Sequence, residues 1–174
     1  MLHVKEVRKI FDEVESRINL LILPKRKIFE KQMNSIKQIE VIYDNRLVGR
    51  LALTKEGLCA FEYSAEWLNT GFSISPFELP LRSGVFIAKS RPFEGGFGVF
   101  DDCLPDGWGL MILDRYLQQN GINPRTLSLL DRLALVGSTG RGALEFYPDK
   151  SVLSKQEYAD FEKLALEAEQ ILRS

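Results

Sequence analysis

The sequence predicts an α+β fold: a small antiparallel or mixed β-sheet covered by helices, with an added N-terminal helix and a C-terminal amphipathic helix. Three observations predict it. Residues 4–21 carry apolar side chains at alternating spacings of three and four, the apolar period changes to two from Ile39, and a helical period returns after Ser154. At 174 residues, 45% hydrophobic and 27% charged, the chain has the length of one domain with an appended helix or two and enough apolar material for a core.

Val4, Val7, Phe11, Val14, Ile18 and Leu21 form one stripe on a helix that Pro24 ends. About three heptads is short for a free coiled coil, so the stripe is expected to dock on another surface. Lys25, Arg26, Lys27 and Lys31 follow as a basic cluster and are candidate phosphate contacts. With no recognition helix or base-reading residues around them, a solvated linker is the better reading.

From Ile39 the period is two, through Ile39, Val41 and Tyr43 and then Leu47, Gly49 and Leu51, and between the two runs Asp44-Asn45 makes a tight turn able to take positive φ. This is a hairpin. A second turn, Thr54 to Gly57, precedes a third strand from Leu58 to Tyr63. One face of such a meander needs a covering layer. The helical stretch opened by Pro105 and Asp106 and closed by Asn120-Gly121 offers Met111, Leu113, Tyr116 and Leu117 for it. Asn123-Pro124 fits the N-cap and first turn of another helix through Leu135, and glycines 137, 140 and 142 make a loop into a strand from Ala143 to Tyr147. Ser154 and Glu157 have capping-box spacing, and Tyr158, Phe161, Ala165, Ala168 and Leu172 share one helix face. The expected division is a helical extension with a basic linker over 1–35, an α+β domain over 36–149 and a C-terminal helix over 150–174.

Composition removes several classes of chemistry. The formal charge of −1 gives no global drive toward nucleic acid or an acidic membrane, although residues 1–38 hold nine Lys/Arg against five Asp/Glu. The longest apolar runs fall far short of the roughly 20 residues that cross a bilayer, and no signal-peptide pattern opens the chain. Cys59 and Cys103 form no C-x-x-C pair and read as reduced thiols of a cytoplasmic protein. His3 is the only histidine, close to the start of the chain, which leaves carboxylates, a lysine or a bound metal for any catalysis.

No cofactor or metal is expected from the remaining motifs. Gly137-Ser-Thr-Gly-Arg-Gly142 has the glycines of a phosphate cradle, but it lacks the lysine of a phosphate-binding loop and leads into a strand, so a structural turn is favoured. Asp101, Asp102 and Asp106 lie close enough to gather a hard cation; capping of a helix start is the better account. Trp67, Asp106, Trp108 and Arg141 are candidate partner contacts, with core packing the default reading for both tryptophans.

Five stretches occur in order: Asn45-Arg-Leu-Val-Gly-Arg-Leu51, Phe61-Glu-Tyr-Ser-Ala-Glu-Trp-Leu68, Phe77-Glu-Leu-Pro-Leu81, Phe100-Asp-Asp-Cys-Leu-Pro-Asp-Gly-Trp-Gly109 and Leu135-Val-Gly-Ser-Thr-Gly-Arg-Gly-Ala-Leu144. They resemble the landmarks of the N-terminal subdomain of HipA-type serine/threonine kinase toxins, over roughly residues 36–149. The resemblance implies a bacterial toxin–antitoxin module whose best-known kinase modifies a tRNA synthetase and is held by a helix-turn-helix DNA-binding antitoxin. In that family the ATP-binding loop, catalytic aspartate and metal ligands lie downstream of the matched subdomain, so no catalytic residue carries over. Split, three-gene systems encode a short HipS-like protein that binds and restrains its kinase, and this chain is similar in extent. The resemblance therefore implies a non-catalytic, antitoxin-like subunit that binds a HipA-like kinase subunit, with the helix-turn-helix antitoxin as a further partner. The alternatives are the N-terminal fragment of a longer kinase and a nucleic-acid-binding accessory protein that uses residues 25–31.

Overall fold

The computed structural model describes residues 36–151 other than 120 and 141, together with residue 16. The N-terminal stripe, the basic cluster and the C-terminal helix expected from the sequence lie outside the described residues. The described residues fall in two compact units, one comprising 35–105 with 125–151 and the other including 106–124.

The first unit is built on a five-stranded antiparallel sheet: β1 (Gln38–Tyr43), β2 (Arg46–Leu53), β3 (Cys59–Tyr63), β4 (Val85–Ile87) and β5 (Leu144–Tyr147), in the spatial order β4-β3-β2-β1-β5. Asp44 and Asn45 take φ of 48° and 58°, which turns the chain tightly enough to pair β1 with β2. The ladder then shifts between Val41 and Ile42, so Val48 is an extra residue on β2. The next residue has to be glycine. A Cβ at Gly49 would collide with the Glu62 carbonyl and the Phe61 ring on β3.

The meander expected from the sequence is thus the middle of a larger sheet. β4 is only three residues long, too short to show a period, and joins β3; β5 pairs with β1, so the sheet closes with the last strand beside the first. Ile39, Val41, Leu51, Phe61 and Phe146 are fully buried on the inner face. Within this unit the cover comes from α2 (Gly98–Asp101), with Phe97 and Phe100, and from α4 (Leu129–Val136), with Leu130, Leu133 and Ala134. Phe100 sits at the centre, with ring centroids 5.5 Å from Phe61, 6.1 Å from Phe97 and 6.3 Å from Phe146.

α4 also starts later than Asn123 suggests. Pro124–Thr126 make one 3-10 turn, and Ser128 is the N-cap. Its hydroxyl accepts from the Asp131 amide at 3.2 Å, while Asp131 Oδ2 accepts from the Ser128 amide at 2.9 Å. The other oxygen of the same buried carboxylate accepts from the Ile36 amide at 3.0 Å, across 95 residues of chain. One side chain therefore ties the entry of the sheet to the helix that covers it.

The second unit contributes α3 (Gly107–Gln119). Asp106 Oδ1 accepts from the Gly109 amide at 3.2 Å, as an N-cap does. At the other end Gly121, at φ 78°, donates to Gln118 and Ile122 donates to Leu117, the paired bonds of a glycine-closed helix.

Replacing Asp131 with alanine removes a cap and leaves the buried Ile36 amide without an acceptor. Asp131→Ala is expected to cost about 2–4 kcal/mol in urea unfolding; a loss under about 0.5 kcal/mol would refute this role.

Candidate interaction site

Beyond the end of β3 the chain turns into α1 (Ala65–Thr70), and Ser64 makes the turn. Its hydroxyl donates to the Leu47 carbonyl at 2.7 Å and accepts from the Trp67 amide at 3.1 Å, so the helix is capped and stitched to β2 together. Trp67 is only 1% exposed, and its indole N–H donates to the Phe72 carbonyl at 2.9 Å. Gly71 lies so close that a Cβ there would run into the indole. Tyr43, Trp67 and Phe72 form an edge-to-face cluster with centroids 5.2–5.8 Å apart. The Arg46 guanidinium lies 4.8 Å from the Trp67 ring and donates to the Thr70 hydroxyl. Of the two accounts weighed for Trp67, the structure places it in the core, as the base of a surface patch whose exposed member is Phe72, at 50%.

The loop after α1 is tied to the sheet by a single phenol. Tyr63 is buried at the end of β3, edge-on to Phe61 (4.9 Å) and Phe86 (6.1 Å). Its hydroxyl donates to the Leu79 carbonyl at 2.6 Å and accepts from the Ile74 amide at 3.1 Å, so it holds both stems of the loop. Burial pushes the phenol pKa up, against the opposing pull of bonds from Ile74 and Ser73. Ser73 Oγ donates to the same Leu79 carbonyl at 2.8 Å, and the Leu79 amide donates to the Ser75 carbonyl at 2.7 Å. Glu78 is drawn inward, accepting from the Gly98 amide at 2.9 Å, and Leu79 is fully buried. Phe77, immediately before them at the tip, is 100% exposed.

The glycine-rich loop does something different from cradling a phosphate. The Gly137 amide donates to Leu133, the Thr139 amide to Val136 and the Ser138 amide to Asp149 Oδ2 at 3.1 Å, while the Ser151 amide donates to Asp149 Oδ1 at 2.7 Å. A Cβ at Gly137, φ 55°, would strike the Asp149 carboxylate. The first donors of the loop are therefore occupied, and an internal anion stands where a bound phosphate would have to sit. Burial raises the Asp149 carboxyl, but the bonds from Ser151 and Ser138 outweigh it and hold the group below its ordinary value of 3.8.

The three aspartates separate by role. Asp106 caps α3, as expected, but Asp101 and Asp102 stand at the C-terminal end of α2, where capping of a helix start does not apply. Burial, then Asp102 and Glu94, push the Asp101 carboxyl up. Among the described residues no group of three His, Cys, Asp or Glu side chains is placed to hold a metal ion. Both cysteines are free and buried, and burial raises their thiols to about 11, with Asp102 adding at Cys103. The side chain of Trp108 lies outside what the structure describes, as do Arg141, Lys25, Arg26, Lys27 and Lys31.

Sequence reasoning did not single out Tyr63, Phe72 or Phe77. Phe77 opens one of the family-like landmarks, but nothing periodic surrounds it, and a lone Phe beside proline carries no signal of its exposure.

The HipA N-terminal domain family model matches residues 39–147, well over half of the chain and a stretch that runs through all five strands. No curated protein matches the chain.

The bonding at Asp149 sets a pH dependence. A carboxyl held low in the fold stabilises fully above its unfolded value, and that contribution is lost as pH falls through the lower folded value. Asp149→Asn is expected to cost about 1–2 kcal/mol at neutral pH, with the gap to the native chain closing as pH drops below about 4, read from urea midpoints. A gap unchanged down to pH 3 would show that the charge is not what binds the loop.

Proposed function

The chain belongs to the HipA N-terminal domain family, and from that premise we propose that it is a non-catalytic, antitoxin-like regulatory subunit that binds a HipA-like serine/threonine kinase. Family membership supports the HipA-associated toxin–antitoxin setting. Within the matched domain, which in the family lies ahead of the ATP-binding loop, the internal anion of the glycine-rich loop supports the non-catalytic half. Phosphoryl transfer rests on a cradle for the phosphates, and here the Ser138 amide is bonded to Asp149 and the Thr139 amide to Val136. The exposed rings of Phe72 and Phe77 support the other half, action by contact.

In this reading the subunit works in the bacterial cytoplasm, with a helix-turn-helix antitoxin as a further component. Among the described residues no helix is long and apolar enough to cross a membrane. Trp108, Asp106 and Arg141 remain proposed contacts, and residues 25–31 a proposed solvated linker. The family description names a domain, which favours a second reading, the front part of a longer kinase. An in-frame kinase core in the genomic DNA directly after codon 174 would select that second reading.

Tagged chain, co-expressed with a HipA-like kinase from the same genome, is expected to retain that kinase in a pull-down and to change its effect on growth. The purified chain alone, incubated with ATP and magnesium, is expected to transfer no phosphate to itself or to cell extract proteins. Phosphorylation by a preparation free of other kinases would end the first reading.

A further inference from the structure

We infer that Phe77 is the anchor through which this domain grips its protein partner, a ring presented on a braced loop for insertion into an apolar pocket of the kinase subunit. The inference rests on the partner reading given above and adds the residue that makes the contact.

Folding leaves the Phe77 ring in water, so its burial contributes nothing to the stability of the free chain. A flexible tip would have let the ring fold back onto the apolar core. This tip is held instead: Tyr63 bonds both stems, Leu79 is buried and bridged to Ser75, and Glu78 is bonded to the Gly98 amide. Pro76 adds a fixed φ immediately before the ring. An aromatic side chain has few rotamers to lose, and a backbone already ordered loses little more on binding, so the ring has the properties of residues that dominate interfaces.

The shape of the feature selects the occupant. A single convex ring needs a concave apolar site. A groove of about 700 Å³ between residues 56–58 and 90–95 is lined by Glu56, Arg91 and Glu94 as well as Leu58 and Pro92, a charged lining that suits an apolar ring poorly. A membrane surface is held by several apolar groups with a basic rim, whereas the neighbours of Phe77 are Pro76 and Glu78. A folded protein with an apolar pocket remains, and the kinase subunit is the one to which family membership leads.

The test is a titration of full-length chain and of Phe77→Ala against the purified HipA-like kinase, with melting temperature and sedimentation of each chain. Phe77→Ala is expected to weaken binding about 25-fold or more with an unchanged melting temperature, and Phe77→Leu to recover part of the loss. Unchanged affinity of Phe77→Ala, with the native chain binding tightly, would overturn the anchor and leave the partner reading standing. No binding by the native chain would overturn both. A melting temperature several degrees lower in Phe77→Ala, or a native dimer that the substitution dissociates, would overturn the assignment of the ring to the kinase.

Discussion

The hydroxyl of Tyr63 is the constraint on which the surface of this domain depends. Its ring belongs to the sheet, between Phe61 and Phe86, and its oxygen belongs to the loop, between Ile74 and Leu79. A buried hydroxyl left unbonded is costly, so the phenol demands partners, and the only way to supply them is to bring the loop backbone to the end of β3. The order of an exposed segment is thereby inherited from the order of the core. Chain that would otherwise wander over the surface, as loops do, is fixed as firmly as the strand beneath it.

Two carboxylates play the same part elsewhere in the fold. Asp131 and Asp149 are partnered by backbone amides, Asp131 joining the entry of β1 to the cap of α4 and Asp149 joining the glycine loop to the segment after β5. An acceptor-only group with several lone pairs can hold amides that come from distant parts of the chain, which neither a hydroxyl nor an apolar contact does as well. The chemical consequence at Asp149 is that a loop with the composition of a phosphate cradle is committed to a structural anion. Composition alone does not make a site; the donors must also be free.

The same division of labour leaves aromatic rings at the surface. The sheet buries one face under α2 and α4, Trp67 underlies the cluster at the β1–β2 turn, and rings that the core does not use stand at the surface. Trp67 shows why an aromatic residue singled out by type can act through its neighbours. Wholly enclosed, with Arg46 over its ring and Phe72 against its edge, it sets the position of groups that water can reach.

Short-range features were legible in the sequence. The Asp44-Asn45 turn, the alternation along β1 to β3 and the closing glycine of α3 each depend on residues within a few positions of one another, and the family landmarks could be matched segment by segment. The placement of β4 and β5 at the sheet edges, the identity of the covering layer, the shift of the α4 cap to Ser128 and the exposure of Phe77 were decided only in three dimensions. The physical reason is separation along the chain. Asp131 and Ile36 stand 95 residues apart, beyond any window of sequence, and Phe77 owes its position to a tyrosine on another element, 11 and 16 residues from its bonding partners, to which no periodicity links it.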